Sequence, residues 1–263
     1  MAMNPVGDLR ASARSGAFVG LTFTLLACLE ADLRASPGSR QIPVTYKWMA
    51  RYGHALLGLY GLEVTARGPH LEEGEIYPAT DDRGLGRIFV MNHRSMLDIF
   101  VDLAFVEANT VSRADLAGWP VIGLAARRVG TLFVDRSDKR SGAAVINAMV
   151  AGLESGRGVM VYPEGTTFSG DEVRPFRAGA FLAAQRAGAE IVPVGVAYGG
   201  SSASFVEESF PAHYRRVAGS PKTRIGLVAG EPFRAAGDVE EITSRAHAEV
   251  QALVHRARAA IAE

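Results

Sequence analysis

The chain has 263 residues, 48% of them apolar, enough for one large folded domain with appendages. Lys plus Arg and Asp plus Glu number 28 each, and the resulting zero net charge argues against a nucleic-acid binder. A single cysteine, Cys28, excludes an intrachain disulfide framework and agrees with a reducing compartment.

Residues 1–9 read as a disordered start and residues 10–35 as a helix, which the turn sequence Ser36-Pro37-Gly38-Ser39 ends. The apolar run at 16–29 is shorter than the roughly 20 residues of a spanning helix, which favours half-insertion or interfacial burial. A second helix is predicted over 44–62, with Tyr46, Met49, Ala50, Leu56, Leu57 and Tyr60 on a broad apolar face beside Lys47 and Arg51. Basic residues are in local excess here: Arg10, Arg14, Arg34, Arg40, Lys47 and Arg51 stand against Asp8, Glu30 and Asp32. The mixture of aromatic, apolar and basic residues predicts a membrane-associated helical hairpin at 1–62, on an anionic surface facing the cytoplasm. Two rival readings are a secretory leader with Arg10 and Arg14 as its basic end, and a helix pair packed on the core.

From residue 63 the pattern alternates. Short apolar runs at 63–67, 87–91, 131–134, 158–162, 191–198 and 224–229 read as strands. Segments 95–108, 122–128, 141–154 and 178–187 read as helices, and 69–85 as a surface loop. Alternation of this kind indicates an α/β fold, a mixed central sheet flanked by helices, over 63–235. The last unit, 236–263, is an amphipathic helix packed on that domain, with Ile242, Ala246, Val250, Leu253, Ala257 and Ile261 on its apolar stripe. Asp238 and Glu241 resemble a capping box at its start.

Four stretches carry chemistry. Asn92-His93-Arg94-Ser95-Met96-Leu97-Asp98 follows a buried strand directly. Five positions on an ideal helix amount to about 140° of rotation, so His93 and Asp98 meet only if His93 lies in the loop and Asp98 in the first turns of the helix after it. There Asp98 would fix the tautomer of a general base. The bland alternative is a capped helix with an incidental histidine. Gly130–Arg136 puts Arg136 at a strand end, where its donors suit an anionic headgroup or a surface ion pair. Val161–Thr167 puts Glu164 in a tight turn beside Gly165, with Arg174 and Arg177 following; Glu164 would orient acceptor hydroxyls and Arg177 would meet phosphate, or both are solvated charges at a turn. Ile191-Val192-Pro193-Val194 is a buried strand whose proline suggests an edge or a strand start.

In this order, NHRSMLD, GTLFVDR, YPEGTT and IVPV resemble the four blocks of the glycerolipid acyltransferase family, the 1-acyl-glycerol-3-phosphate acyltransferases and their relatives. Trp119-Pro120 and Gly123 ahead of the second block, and Gly230–Phe233 beyond the fourth, extend the likeness. The resemblance implies a catalytic His93–Asp98 pair and substrate contacts from Arg136, Glu164, Gly165, Thr166 and Arg177. It implies direct transfer from acyl-CoA or acyl-carrier protein to a lysolipid hydroxyl, with no metal and no bound cofactor, on the cytoplasmic face of the inner membrane. One position departs from the pattern. Thr167 stands where the family usually has an arginine that helps hold the acceptor's phosphate. The acceptor expected is 1-acyl-glycerol-3-phosphate, with lyso-ornithine lipid or another lysophospholipid as the alternative. Rival classes are a non-catalytic peripheral lipid-binding protein and a hydrolase built on a serine such as Ser201 or Ser202, although no Gly-x-Ser-x-Gly elbow follows a strand.

Overall fold

The structure, a computed structural model, describes residues 5–135, 139–200, 203–206 and 208–262. Helices α1 (Pro5–Ala35) and α2 (Gln41–Tyr60) lead into strand β1 (Leu62–Arg67). Then come β2 (Ile88–Met91), α3 (Asp98–Phe105), β3 (Asn109–Arg113), α4 (Ile122–Val129), β4 (Leu132–Val134), α5 (Lys139–Glu154), β5 (Val159–Val161), α6 (Gly179–Ala187) and β6 (Glu190–Tyr198). The chain closes with α7 (Phe210–Gly219), β7 (Thr223–Ala229), β8 (Phe233–Arg234) and α8 (Val239–Ala260).

The eight strands form one mixed sheet in the order β1-β7-β6-β2-β5-β3-β4, with β8 also on β6. Strands β6, β2 and β5 run parallel side by side, while β7 and β8 run antiparallel to β6. Alternation along β2 divides the core. Phe89 and Met91 face a cluster with Leu56, Tyr60, Phe100 and Val101 from α2 and α3. Ile88 and Val90 face Val145, Leu153, Phe181, Val250 and Val254 from α5, α6 and α8. Helices therefore cover both faces, as a sheet whose central strands are buried throughout requires.

Pro193 lies in a central strand, not at an edge. A residue in a strand points its nitrogen and its carbonyl to the same side, and the Pro193 carbonyl accepts from the Gly230 N–H. Gly230 lies between the end of β7 and the start of β8, so the missing donor falls at a break in the ladder.

Several expectations are corrected. The helix predicted over 95–108 is only Asp98–Phe105, because the Asp98 carboxylate takes the N–H groups of Arg94 and Ser95 and holds them in a loop. Residues 109–113 form β3, and α7 was not predicted. Residues 5–9 are helical, anchored by an Arg215–Asp8 ion pair. Arg10 and Arg14 are bonded into the fold. Arg14 is buried and donates to the carbonyls of Ala218, Ser220 and Pro221, and Arg10 donates to that of Gly219. Together they close the C-terminal end of α7, where unpaired carbonyls attract cations. The apolar face of α2 packs on α3 and the core, so α2 belongs to the domain.

Helix α1 is apolar on both sides. Gly7, Ala11, Arg14, Thr22, Leu29 and Leu33 form the stripe that packs on α2 and α7. The opposite stripe carries Val6, Leu9, Ala17, Gly20, Phe23 and Ala27 and is exposed, with Leu9 73% and Phe23 49% accessible. By length and composition α1 is sufficient to cross a membrane.

Helix α8 lies close on β6 and β7 because Gly195 and Gly226 have no Cβ. A Cβ at Gly226 would stand 2.0 Å from the Ala257 carbonyl oxygen, and one at Gly195 would stand 2.4 Å from the Leu253 backbone. Gly226→Ala should therefore push α8 outward and lower stability by about 1–3 kcal/mol, read as a lower urea midpoint at unchanged slope.

Candidate active site

Three neighbouring parallel strands deliver the site. His93 follows β2, Tyr162 and Glu164 follow β5, and Tyr198 ends β6. All emerge at the carboxyl ends of these strands, where open α/β sheets bind ligands. The Asn92 side chain is paired both ways with the backbone of Val196, which fixes the exit of β2.

Asp98 opens α3 and His93 lies in the loop before it. The His93 Nδ1 and Asp98 Oδ2 are 2.7 Å apart. The same oxygen accepts the N–H groups of Arg94 at 2.7 Å and Ser95 at 3.0 Å, and Oδ1 accepts the Tyr198 hydroxyl at 2.6 Å. Asp98 is fully buried, while the His93 side chain is 20% exposed. Among the described residues the His93 Nε2 has no partner. The imidazole also stacks on the Tyr162 ring, with centroids 4.1 Å apart.

Glu164 takes a role that was not expected. Its side chain is fully buried, and both oxygens are engaged: by the Arg94 guanidinium at 2.8 Å, the His93 N–H at 2.6 Å and the Arg174 N–H at 2.8 Å. Arg94 also donates to the carbonyls of Gly170 and Glu172. Glu164 is thus turned away from any acceptor hydroxyl and holds the His93 loop against the loop after β5. Removing one partner of a buried ion pair of this kind costs about 3–5 kcal/mol.

Gly165 has φ of +83°, and its N–H is donated to the Tyr162 carbonyl. It is therefore not a free donor for an oxyanion. The N–H groups of Thr166 and Thr167 beyond it have no partner among the described residues, and Thr166 is exposed. A Cβ at Gly165 would stand 2.6 Å from the Arg177 Nε, so the glycine lets the Arg177 side chain lie on the turn. Arg177 is exposed, and its guanidinium has no hydrogen bond or ion pair among the described residues. Arg136, after β4, lies outside the described residues, as do Ser201 and Ser202. Among the described residues no group of three or more His, Cys, Asp or Glu has the arrangement of a metal site.

The sequence reading missed Arg94, Tyr198 and the 203–219 segment. His213 Nε2 lies 3.2 Å from the Ser95 hydroxyl and accepts the Met96 N–H, while its Nδ1 is 3.0 Å from Glu208, which Arg216 also holds. This resembles a Ser–His–acid relay, but Ser95 is fully buried and its hydroxyl accepts the Leu97 N–H. The network braces the loop instead. Met96 donates its N–H to His213 Nε2, so that nitrogen must be unprotonated. Burial lowers the His213 pKa from its ordinary 6.5, against the pull of Glu208. The unfolded chain therefore takes up a proton first, and stability is lost as pH falls from about 6.5 towards the folded pKa. The urea midpoint should fall between pH 7.5 and pH 5.5, and His213→Gln should remove part of that fall; an identical decline in the variant would contradict the assignment.

Residues 73–197 match the family model described as Acyltransferase. The chain is 33% identical over 113 residues to a 1-acyl-sn-glycerol-3-phosphate acyltransferase of Neisseria gonorrhoeae, covering 43% of this chain and 44% of that protein. It is 35% identical over 112 residues to a lyso-ornithine lipid O-acyltransferase of Pseudomonas aeruginosa, covering 42% and 43%. The chain thus spans less than half the length of these curated relatives. The crystal structure of the 1-acyl-sn-glycerophosphate (LPA) acyltransferase PlsC from Thermotoga maritima superimposes with a TM-score of 0.66 at 16% identity, over 95% of this chain and 98% of that one, and the fold is shared. The matched segment contains both loops of the site, and it is similar over that length to the acyltransferases.

Proposed function

We propose that the chain transfers a fatty acyl group from a thioester, acyl-CoA or acyl-carrier protein, to the free hydroxyl of a lysolipid at a membrane surface. The observation that carries this reading is the His93–Asp98 pair, with Nδ1 tied to a buried carboxylate and Nε2 unpartnered. With the proton on Nδ1, the lone pair lies on Nε2. The acceptor hydroxyl gives its proton to Nε2 as its oxygen attacks the thioester carbonyl. The tetrahedral intermediate then collapses, the C–S bond breaks, and the imidazolium returns the proton to the departing thiolate. Asp98 stabilises the imidazolium while it lasts. The unpaired N–H groups of Thr166 and Thr167 are the donors assigned to the oxyanion.

Arg177 is assigned to the acceptor's anionic headgroup, the role that the arginine usual at position 167 would have. The acceptor favoured is 1-acyl-glycerol-3-phosphate, with lyso-ornithine lipid as the alternative, since both relatives occur among the similar proteins. The membrane reading rests on where apolar surface is exposed. Among the described residues the large exposed apolar side chains are Val6, Leu9, Val19 and Phe23 on α1, Leu124 on α4, Val206 in the loop ahead of α7 and Phe210 at its start. These segments adjoin: α1 packs on α7, Glu30 pairs with Arg128 of α4, and Trp119 contacts Phe210. A helix apolar on its packed side and on its open side is explained by lipid on the open side. Thioester donors of this kind belong to the cytoplasm, which assigns the protein to the cytoplasmic face.

His93→Ala, assayed by thiol release in detergent, should lose about 10²–10⁴-fold in kcat; activity near wild type would overturn the mechanism. Arg177→Ala should raise KM for the preferred lysolipid by about 10–100-fold, as loss of a charged hydrogen bond implies, and leave KM for the thioester unchanged. A panel of lysophosphatidic acid against lyso-ornithine lipid identifies the acceptor.

A further inference from the structure

We propose that Asp102 and Tyr162 are a positioning pair for the catalytic histidine: Asp102 binds the Tyr162 hydroxyl and thereby holds the Tyr162 ring flat against the His93 imidazole. The inference rests on the assignment of His93 as the base. It adds a residue, Asp102, that lies outside the four sequence blocks and has no expected role.

The geometry is as follows. The Nδ1–Asp98 bond lies in the plane of the imidazole, so it fixes where the ring points but resists tilting out of that plane only weakly. The Tyr162 ring supplies the second restraint, with its plane 22° from that of His93 at a centroid distance of 4.1 Å. Tyr162 is the first residue after β5, and its hydroxyl donates to Asp102 Oδ2. Asp102 lies four residues after Asp98 on α3, so both carboxyls project from one face of the helix towards the stacked rings. Asp98 thus holds the imidazole edge, and Asp102 holds the ring beneath it.

Packing alone does not explain Asp102. The residue is buried, and its Oδ1 has no hydrogen-bond partner, the only such side-chain atom among the described residues. A leucine there would fill similar space without an orphaned oxygen, and buried groups of that kind usually mark a requirement other than stability. Burial, and then the nearby Asp98 charge, hold the Asp102 carboxyl well above its ordinary range, whereas the Tyr162 hydrogen bond pulls the other way.

The test uses the full chain in detergent, with thiol release measured at varied thioester and lysolipid. Asp102→Leu and Tyr162→Phe should each lower kcat by about tenfold or more, as misplacement of a catalytic group does, with both KM values within about twofold. The urea midpoint of Asp102→Leu should be equal to or above that of wild type, which separates positioning from loss of fold. Asp102→Asn, which keeps an acceptor for Tyr162, should stay within about threefold of wild type. The double variant Asp102→Leu/Tyr162→Phe should be no slower than the slower single variant, because the two residues act as one unit. Wild-type kcat in Asp102→Leu and Tyr162→Phe would overturn the pairing. If Asp102→Leu does not fold, Tyr162→Phe alone decides, since it preserves the ring. His93→Ala in the same assay keeps the outcomes apart: an active His93→Ala removes the mechanism itself, whereas an inactive His93→Ala beside unimpaired Tyr162→Phe and Asp102→Leu removes only this inference.

Discussion

The site depends on one carboxylate. Asp98 is fully buried, yet it receives the His93 ring, two backbone N–H groups and the Tyr198 hydroxyl. Each of these donors comes from a different constraint. The backbone groups curl the loop so that His93 returns over the start of α3. The tyrosine ties that start to the end of β6. The histidine takes the remaining direction. A charge buried without such donors would be prohibitively costly, so satisfying Asp98 and building the loop are one event in folding. The Arg94–Glu164 pair then locks the finished loop to the turn after β5.

Much of this was legible from sequence because its physics is local. The requirement that His93 lie in a loop and Asp98 on a helix follows from helix geometry, and most strands read as short buried apolar runs. Helix α8 was legible from its stripe and from Asp238, whose side chain accepts the Glu240 N–H. What was missed depends on distant partners. Glu164 looked like a surface carboxylate because Arg94, 70 positions earlier, gives no local sign of meeting it. Strand β3, Asn109–Arg113, has too few apolar residues to announce itself and is a strand because β5 and β4 flank it. Helix α7 has a Ser209 cap and a proline at its start, but its polar sequence hides the face it buries. Arg10 and Arg14 show the same limit. Composition alone cannot distinguish an arginine that faces lipid from one that closes another helix.

Two kinds of apolar surface coexist in α1. The inner stripe belongs to the fold and includes a buried arginine; the outer stripe is exposed among the described residues. Sequence periodicity cannot separate them, because both are apolar and their moments cancel. The packed structure separates them at once, and it makes α1 an integral part of the same domain as the His93 loop.

Helix α7 makes that integration consequential. At its C-terminal end its carbonyls are closed by Arg10 and Arg14; near its start His213 grips Ser95 and Met96 in the loop after His93. The N-terminal helix is consequently not an appendage that can be trimmed without cost to the rest of the fold. Deleting it would strip the donors from the carbonyls of Ala218 and Gly219, expose the core beneath α2, and loosen the helix that braces the His93 loop. A preparation meant to retain the geometry around His93 has to keep α1, with its exposed apolar stripe, in the chain.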